Sequence, residues 1–506
     1  MARTFSTTQP VSQQQLEAYL WGAATLLRGV IDAGDYKQYI FPLLFFKRIS
    51  DVYQEEYDRA LELAGDDLEY ASFAENYRFQ IPTGAHWSDV RKKTKGVGKA
   101  IQKAMLAIAS ANPKLADIFG DAHWTNTQRL SDEQLCDLIE HFSSLTLSLA
   151  NVPEDELGQA YEYLIKKFAD DSGHTAAEFY SNRTVVHLMT VMLEPQPGES
   201  IYDPTCGSGG MLVSAVAELR RRKLEWRTLK LFGQERNLMT SSIARMNLFL
   251  HGIEDFRIER GDTLSEPKLL ASDTLRQFDL ILANPPYSIN QWNRTAWEHD
   301  RYGRNILGVP PQGRADYAFF QHILVSMKPD TGRCAILFPH GVLFRNEERM
   351  MRGKLIELDL VECVLGLGPN LFYNSPMESC VVICRSQKPP ERRGRVLFIN
   401  AVHEVSRERA QSFLEVRHIE QIVAAYRAFT DQEGFSRVMT LDQIRAQQSN
   451  MSIALYIRPP ANAHTDMSTL SLDEAIAAWE RSSHEVRTAM TELLATLRDN
   501  GSSIRS

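Results

Sequence analysis

The chain has 506 residues, of which 43% are apolar and 24% charged, so it can bury the cores of two or three ordinary domains. No segment approaches ~18 consecutive apolar residues, and the first residues lack the apolar stretch of a signal peptide, so we expect no membrane partner and a cytoplasmic location. The formal net charge of −8 argues against a chain that grips nucleic acid by itself, because phosphate contacts depend on clustered lysine and arginine.

A helical domain is predicted over residues 1–150. Ser12 and Gln15 have the spacing of a capping box, and apolar residues follow them at helical intervals. A second helical segment, over about residues 36–64, carries Pro42, which should start or kink the helix. The six cysteines of the chain show no metal-binding spacing, and we predict no metal site.

From about residue 151 the pattern changes to short apolar strands that alternate with helices, which predicts a parallel sheet covered by helices. The first strand, 200–203, runs into the glycine-rich turn 204–210 and then a helix. This turn lacks the Gly-Lys-Ser/Thr of a phosphate-binding loop, and Leu212 breaks the Gly-x-Gly-x-x-Gly pattern. Its glycines let a ligand approach the backbone closely, while Asp203 can accept hydrogen bonds from a cationic amine.

Polar side chains also follow the next three predicted strands. Glu235 ends the second strand, where an acidic residue is the expected acceptor for ribose hydroxyls. Asp262 follows the third strand and can accept a hydrogen bond from the amine of an adenine ring. Asn284 follows the fourth strand, an apolar run that begins at Phe278. Four such residues in this order predict a ligand site at the carboxyl ends of the strands.

The fourth strand ends in a rigid corner, Asn284-Pro285-Pro286-Tyr287. Two consecutive prolines hold φ near about −65° and remove two amide donors, so carbonyl oxygens are left for a guest. The Asn284 side-chain oxygen and a backbone carbonyl then form two acceptors for a planar NH2 group, and Tyr287 offers a flat face for stacking. Accepting both hydrogens returns the lone pair to the nitrogen, which can then attack a methyl sulfonium.

These motifs carry a resemblance to a known family. The corner 284–287 after Phe278-Asp279, together with the turn 203–210, resembles the S-adenosylmethionine-dependent adenine-N6 DNA methyltransferases. More closely, the chain is similar to the modification subunits of type I restriction-modification systems, since 178–183, 301–324 and 332–344 match further blocks of that family. The departure is Ser181-Asn182, where the family usually has Thr-Pro, so a hydroxyl is kept and a rigid turn is lost.

The resemblance implies an α/β fold with a Rossmann-like class I methyltransferase sheet over residues 151–400, which binds S-adenosylmethionine. Asn284, Pro285, Pro286 and Tyr287 would receive an adenine flipped out of duplex DNA. The residues implied in cofactor binding are Glu178, Phe179, Tyr180, Asp203, Thr205, Gly207, Ser208, Gly209, Gly210, Glu235 and Asp262.

Residues 401–506 are predicted to form a C-terminal helical extension. Its last helix begins at Ser471 and carries an apolar seam at heptad spacing, which fits either packing on its own domain or, as we favour, docking against helices of another protein. The seam consists of Leu472, Ile476, Trp479, Ser483, Val486, Met490, Leu493 and Leu497. The resemblance implies a specificity subunit as that partner, with duplex DNA, a second copy of the chain and a restriction subunit in the full complex.

Three alternatives stay open at this point. A stand-alone adenine methyltransferase would contain the same motifs. A protein glutamine-N5 methyltransferase could use the same corner, because a glutamine amide also presents a planar NH2 group. A non-catalytic scaffold could bind the cofactor only to stabilise a complex, although such a scaffold would not require Asn284 and Tyr287.

Overall fold

The computed structural model describes residues 11–171, 181–371, 378–408 and 411–458, together with isolated positions of the last helical segment. These isolated positions are 476, 480, 483, 484, 487, 488 and 490. The predicted cofactor residues Glu178, Phe179 and Tyr180 lie outside the described residues. Of the predicted C-terminal seam, only Ile476, Ser483 and Met490 are described, and all three are helical.

The helices of the described residues are numbered here in chain order. They are α1 (Gln13–Leu26), α2 (Tyr36–Leu63), α3 (Leu68–Ala71), α4 (Trp87–Arg91), α5 (Val97–Ala111), α6 (Asp132–Ser143), α7 (Glu154–Asp171), α8 (Arg183–Leu193), α9 (Gly210–Arg221), α10 (Leu238–Leu250), α11 (Arg294–Glu298), α12 (Asp316–Val325), α13 (Arg349–Glu357), α14 (Val416–Ala428) and α15 (Leu441–Ala446).

The N-terminal part of the chain is helical, as predicted. The capping box ahead of α1 is present, with the Ser12 hydroxyl accepting from the Gln15 backbone and the Gln15 side chain accepting in return. Pro42 lies inside α2. These helices share one apolar core with α10 of the following region, which contributes Met239 and Ile243 to it. The helical region is therefore anchored on the sheet-forming part of the chain.

The strands are numbered in the same way. They are β1 (Ser200–Asp203), β2 (Lys230–Glu235), β3 (Phe256–Arg260), β4 (Leu270–Ala271), β5 (Thr274–Leu275), β6 (Leu280–Ala283), β7 (Arg333–Pro339), β8 (Val361–Leu367), β9 (Ser379–Arg385), β10 (Arg395–Ala401), β11 (Ser406–Glu408), β12 (Gln411–Phe413) and β13 (Ser436–Thr440).

Nine strands form the main sheet, in the order β13-β10-β8-β9-β7-β6-β1-β2-β3. Strands β3, β2, β1, β6 and β7 are parallel to one another, whereas β9 is antiparallel to both β7 and β8. Alternate residues of β6 enter different cores, because Leu280 and Leu282 pack on one face and Ile281 and Ala283 on the other. Burial on both faces is expected of a parallel sheet covered by helices. The predicted α/β fold is thus confirmed.

The chain order reverses between β1 and β6. From β1 the chain proceeds outward to β2 and β3, and it then returns to add β6 and β7 on the other side. A reversal of this kind opens a crevice beyond the carboxyl ends of the two central strands, where open α/β sheets bind ligands. Asp203 ends β1 and Asn284 directly follows β6, so both predicted residues lie at this crevice.

The sheet continues past residue 400, beyond the stretch predicted for it. Strand β13 pairs with β10 as an antiparallel edge, and β11 and β12 form a separate two-stranded hairpin. Helices α14 and α15 lie in the same region, so it combines helices with strands. The sequence pattern predicted helices in this region and did not indicate the strands, since β13 is only five residues long. Among the described residues, no helix is both long and apolar enough to cross a membrane.

Candidate active site

The four predicted polar residues lie at the carboxyl ends of adjacent strands. In spatial order the strands are β3, β2, β1 and β6, and the residues are Asp262, Glu235, Asp203 and Asn284. The register pairs Asp203 with Gly233, two residues before Glu235. Parallel pairing brings these ends to one edge of the sheet, so residues 81 positions apart in the chain become neighbours.

The glycine turn between β1 and α9 has the backbone that its composition predicts. Gly207 has φ 52° and Gly209 has φ 81°, which is the left-handed region that glycine adopts without a steric penalty. The Gly207 amide donates to the Glu235 carboxylate at 3.2 Å, and the Gly209 amide donates to the Cys206 carbonyl at 2.7 Å. Glu235 therefore fixes the turn from the neighbouring strand.

Asp203 is almost fully buried below this turn, with 2% exposure. Its carboxylate accepts one hydrogen bond from the Thr205 amide at 3.0 Å. The pKa of Asp203 is raised to about 8, chiefly by burial, while the hydrogen bond from the Thr205 amide lowers this pKa and the nearby Glu235 carboxylate raises it. A cationic ligand bound beside this buried carboxyl group would stabilise its charged form.

The crevice contains a cavity of about 390 Å³. Six of the predicted residues line it, namely Asp203, Thr205, Gly207, Ser208, Gly210 and Asn284. The Thr205 hydroxyl is buried and has no hydrogen-bond partner among the described residues. A buried hydroxyl without a partner is costly unless a ligand or water satisfies it. The cavity therefore presents a hydroxyl, a buried carboxyl and a glycine backbone, which suit the amino-acid end of S-adenosylmethionine.

Asp262 lies apart from that cavity. Its carboxylate accepts from the Leu264 and Ser265 amides at 2.9 and 3.0 Å, so it caps the turn after β3. It lines a second cavity of about 350 Å³ together with Trp292 and Trp297. Because β2 lies between β1 and β3, Glu235 occupies the sheet edge between the two cavities. Burial raises the pKa of Glu235 above its usual range.

The Asn284 side chain is held from both ends. Its Nδ2 donates to the Ser181 hydroxyl at 3.0 Å, and its Oδ1 accepts from the Tyr287 hydroxyl at 2.6 Å. Burial raises the pKa of Tyr287, so this hydroxyl stays protonated and keeps its proton to donate. Pro285 is buried and Pro286 exposed, which anchors the corner on one side and leaves it open on the other.

The contact between Ser181 and Asn284 was not predicted from the sequence. The available signal was that Ser181 keeps the hydroxyl of the threonine usual at this position. Two further residues on the wall of the cavity were also missed, Glu162 and Arg183, which form an ion pair at 3.1 Å. His251 also lines the cavity and is the C-cap of α10. Burial lowers the pKa of His251 to about 3, so its ring is neutral.

Comparison with known proteins decides the family. A model described as N-6 DNA Methylase matches residues 152–465, which is more than half of the chain. The chain belongs to this family. A second model, described as HsdM N-terminal domain, matches residues 16–142 and covers most of the N-terminal helices.

Curated relatives and a solved structure agree with the family. The chain is 30% identical to the type I restriction enzyme MjaVIII methylase subunit of Methanocaldococcus jannaschii, over 90% of this chain and 80% of that protein. It is 24% identical to the MpnII methylase subunit of Mycoplasma pneumoniae, over 91% and 93%. The crystal structure of the type I methyltransferase subunit from Streptococcus thermophilus matches with 28% identity and a TM-score of 0.77, over 89% of this chain and all of that one.

These findings confirm the predicted enzyme class. This member of the N-6 DNA methylase family is an adenine-N6 DNA methyltransferase, of the kind that forms the modification subunit of type I restriction enzymes. The glutamine-N5 and scaffold alternatives lose their support, because the matched family and its named relatives are DNA methylases. The family implies S-adenosylmethionine as the methyl donor.

Proposed function

We propose that the crevice between β1 and β6 holds S-adenosylmethionine beside a flipped adenine, so that a methyl group passes to N6 of that adenine. The observation that carries the proposal is that Asp203 and Asn284 line one cavity from two adjacent strand ends. One residue suits the cofactor and the other suits the target amine. A single cavity therefore brings the two reactants into one space, as bimolecular transfer requires.

The cofactor is assigned to the glycine turn and the acidic strand ends. Asp203 would bind its ammonium group, Thr205 and the backbone of 207–210 would surround its methionine part, and Glu235 would accept from the ribose hydroxyls. Asp262 would accept from the adenine amine at the second cavity. When bound, the cofactor supplies an electrophilic methyl group on a sulfonium centre.

The target amine is assigned to Asn284 and the following prolines. The Asn284 Oδ1 atom and a carbonyl of the Asn-Pro-Pro backbone would accept its two hydrogens, which localises the nitrogen lone pair toward the methyl group. Asn284 lies within the cavity wall and is half-buried, so these acceptors act where water is scarce and hydrogen bonds are strong. The proton that N6 loses after the transfer passes to solvent.

The Tyr287 hydroxyl uses one of the two lone pairs of Asn284 Oδ1, so it competes with the target amine for this acceptor. We expect Tyr287→Phe to retain most activity, since the ring still stacks on the base and a competing donor is removed. Tyr287→Ala should lose most of it, because stacking is worth ~1–3 kcal/mol per base. Steady-state kinetics on duplex DNA would measure both variants. If phenylalanine proves as damaging as alanine, the hydroxyl acts in the reaction and the stacking assignment is wrong.

Site recognition is assigned to a separate specificity subunit. The net charge of −8 suits a chain that supplies the pocket while a basic partner reads the groove. One chain of a structure that describes complex assembly of a type I R-M system shares the fold of this chain, with 20% identity and a TM-score of 0.66. Radiolabelled methyl transfer to duplex DNA, with and without the neighbouring subunits, tests the proposal. Efficient methylation of one defined sequence by the isolated chain would favour a stand-alone enzyme.

The C-terminal helical segment is the proposed docking element. Ile476 and Met490 lie on the predicted seam and are 46% and 62% exposed, which leaves apolar surface for a partner. We expect truncation at Asp466 to leave cofactor affinity unchanged, but to weaken assembly with the specificity subunit and therefore site-specific methylation. Size-exclusion chromatography of the mixed subunits, beside calorimetry with the cofactor, would measure both. Equal assembly by the truncated and full-length chains would contradict the docking role.

A further inference from the structure

We propose that Ser181 is a positioning residue for Asn284, and that residues 411–414 hold Ser181 in place through Asn182 and Thr184. The inference rests on the proposed role of Asn284 as acceptor for the target amine. It assigns a function to the Ser181-Asn182 pair, which departs from the usual Thr-Pro. It also ties the active site to the hairpin β11–β12, more than 220 residues later in the chain.

The first step concerns the orientation of the Asn284 amide. Its nitrogen and oxygen sit on one carbon, so a partner that holds Nδ2 also sets the direction of Oδ1. The Ser181 hydroxyl accepts from Nδ2 at 3.0 Å, and the Tyr287 hydroxyl donates to Oδ1 at 2.6 Å. When the target amine takes the place of the Tyr287 hydroxyl, Ser181 remains to hold Nδ2. A rotated amide would present N–H groups to an amine and repel it.

The second step is the anchoring of Ser181 by its neighbour Asn182. Asn182 has φ −58°, the value that a proline ring imposes, so the backbone turn survives without the ring. Its Oδ1 accepts from the Thr184 amide at 3.0 Å and caps α8. Its Nδ2 donates to the Ser412 carbonyl at 3.0 Å. The hydrogen bond from Nδ2 plays no part in capping α8. It connects the capping residue Asn182 to the hairpin β11–β12.

The third step is a parallel contact from Thr184. Its hydroxyl accepts from the Leu414 amide at 2.9 Å and donates to Asn182 Oδ1 at 2.8 Å. Ser412 and Leu414 are both buried, and the Ser412 amide donates to the Asn370 carbonyl beyond β8 at 2.9 Å. Residues 182–184 are thus joined by two long-range hydrogen bonds to a segment that is itself fixed to the sheet. This rigid frame holds the Ser181 hydroxyl against Asn284.

Four variants of the full-length chain, assayed with its specificity subunit, test the inference. We expect Ser181→Ala to lower kcat about tenfold or more, because the Asn284 amide loses a partner, with cofactor affinity changed less than about twofold. Ser181→Thr should keep wild-type activity, since threonine retains the hydroxyl. Asn182→Ala should lower kcat by about threefold to tenfold, and Ser131→Ala is the matched control because it removes a similar cap from α6.

A double-mutant cycle separates positioning from stability. If Asn182 acts through Ser181, adding Asn182→Ala to Ser181→Ala should lower kcat no further, although the melting temperature should fall as it does in the single variant. Additive losses in kcat would overturn the link, and wild-type activity in Ser181→Ala would overturn the positioning role. In both cases the wild-type enzyme still methylates DNA, so the proposed function stands. A wild-type complex that fails to methylate duplex DNA would overturn both together.

Discussion

Replacing Asn284 with alanine is expected to remove nearly all methyl transfer while the affinity for S-adenosylmethionine changes little. The Asn284 amide faces the cavity from the end of β6 and is assigned to the target amine, whereas the cofactor is assigned to the turn after β1. Removal of one preorganised hydrogen-bonding group from an active site costs roughly a hundredfold to a thousandfold in rate. Radiolabelled transfer to duplex DNA and calorimetry with the cofactor measure the two quantities separately.

The matched control for this prediction is Asn290→Ala. Asn290 is an exposed asparagine six residues later in the same loop, so its loss removes an amide of the same type outside the cavity. We expect the control to keep wild-type transfer and melting temperature. If Asn284→Ala loses cofactor affinity and thermal stability along with activity, Asn284 maintains the structure of the crevice and its assignment to the amine is wrong.

The central part of the fold was predictable because its signals are local. Strands β1, β2 and β6 contain short apolar runs, and each ends in or is directly followed by a polar residue that lines or borders the crevice. The rule that parallel strands expose their carboxyl ends at one edge converts this chain order into a spatial cluster. Asp203 and Asn284 could therefore be placed together without knowledge of the structure.

Other features depend on contacts between distant residues, and the sequence holds no local signal for them. The hydrogen bond from Asn182 to Ser412 spans 230 positions, and β13 joins the sheet by pairing with β10 across the intervening α14. The two hydrogen bonds of the Asn284 side chain follow from rotamers that packing selects. The motif identified Asn284 and Tyr287 as a pair, but it could not show that the Tyr287 hydroxyl donates a hydrogen bond to Asn284 Oδ1.

The second large effect is expected at Asp203. We expect Asp203→Asn to weaken S-adenosylmethionine binding by roughly 30-fold or more, because it removes a buried charge from a proposed charge-assisted contact. Asparagine keeps the shape of the side chain and can still accept from the Thr205 amide. Asp273→Asn, the same change at an exposed carboxylate between β4 and β5, serves as a control with unchanged affinity. Calorimetry at pH 7 would measure both, and wild-type affinity in Asp203→Asn would contradict the assignment of the glycine turn.

The dependence on pH gives an independent check of the same residue. Burial raises the pKa of Asp203 from 3.8 to about 8, so below pH 8 the unliganded protein carries a proton there that a cationic ligand must displace. Cofactor affinity should therefore rise as pH increases toward 8, with proton release visible as a buffer-dependent enthalpy, and Asp203→Asn should lose both effects.

In the absence of ligand, the contribution of Asp203 to folding stability changes with pH in the opposite direction to the cofactor affinity. A raised carboxyl pKa contributes stability that is complete below pH 3.8 and is lost as pH rises through 8, so the melting temperature of Asp203→Asn should gain on that of the wild type as pH increases. If the melting temperatures of the two proteins change with pH in the same way, Asp203 is not a buried, protonated carboxyl group.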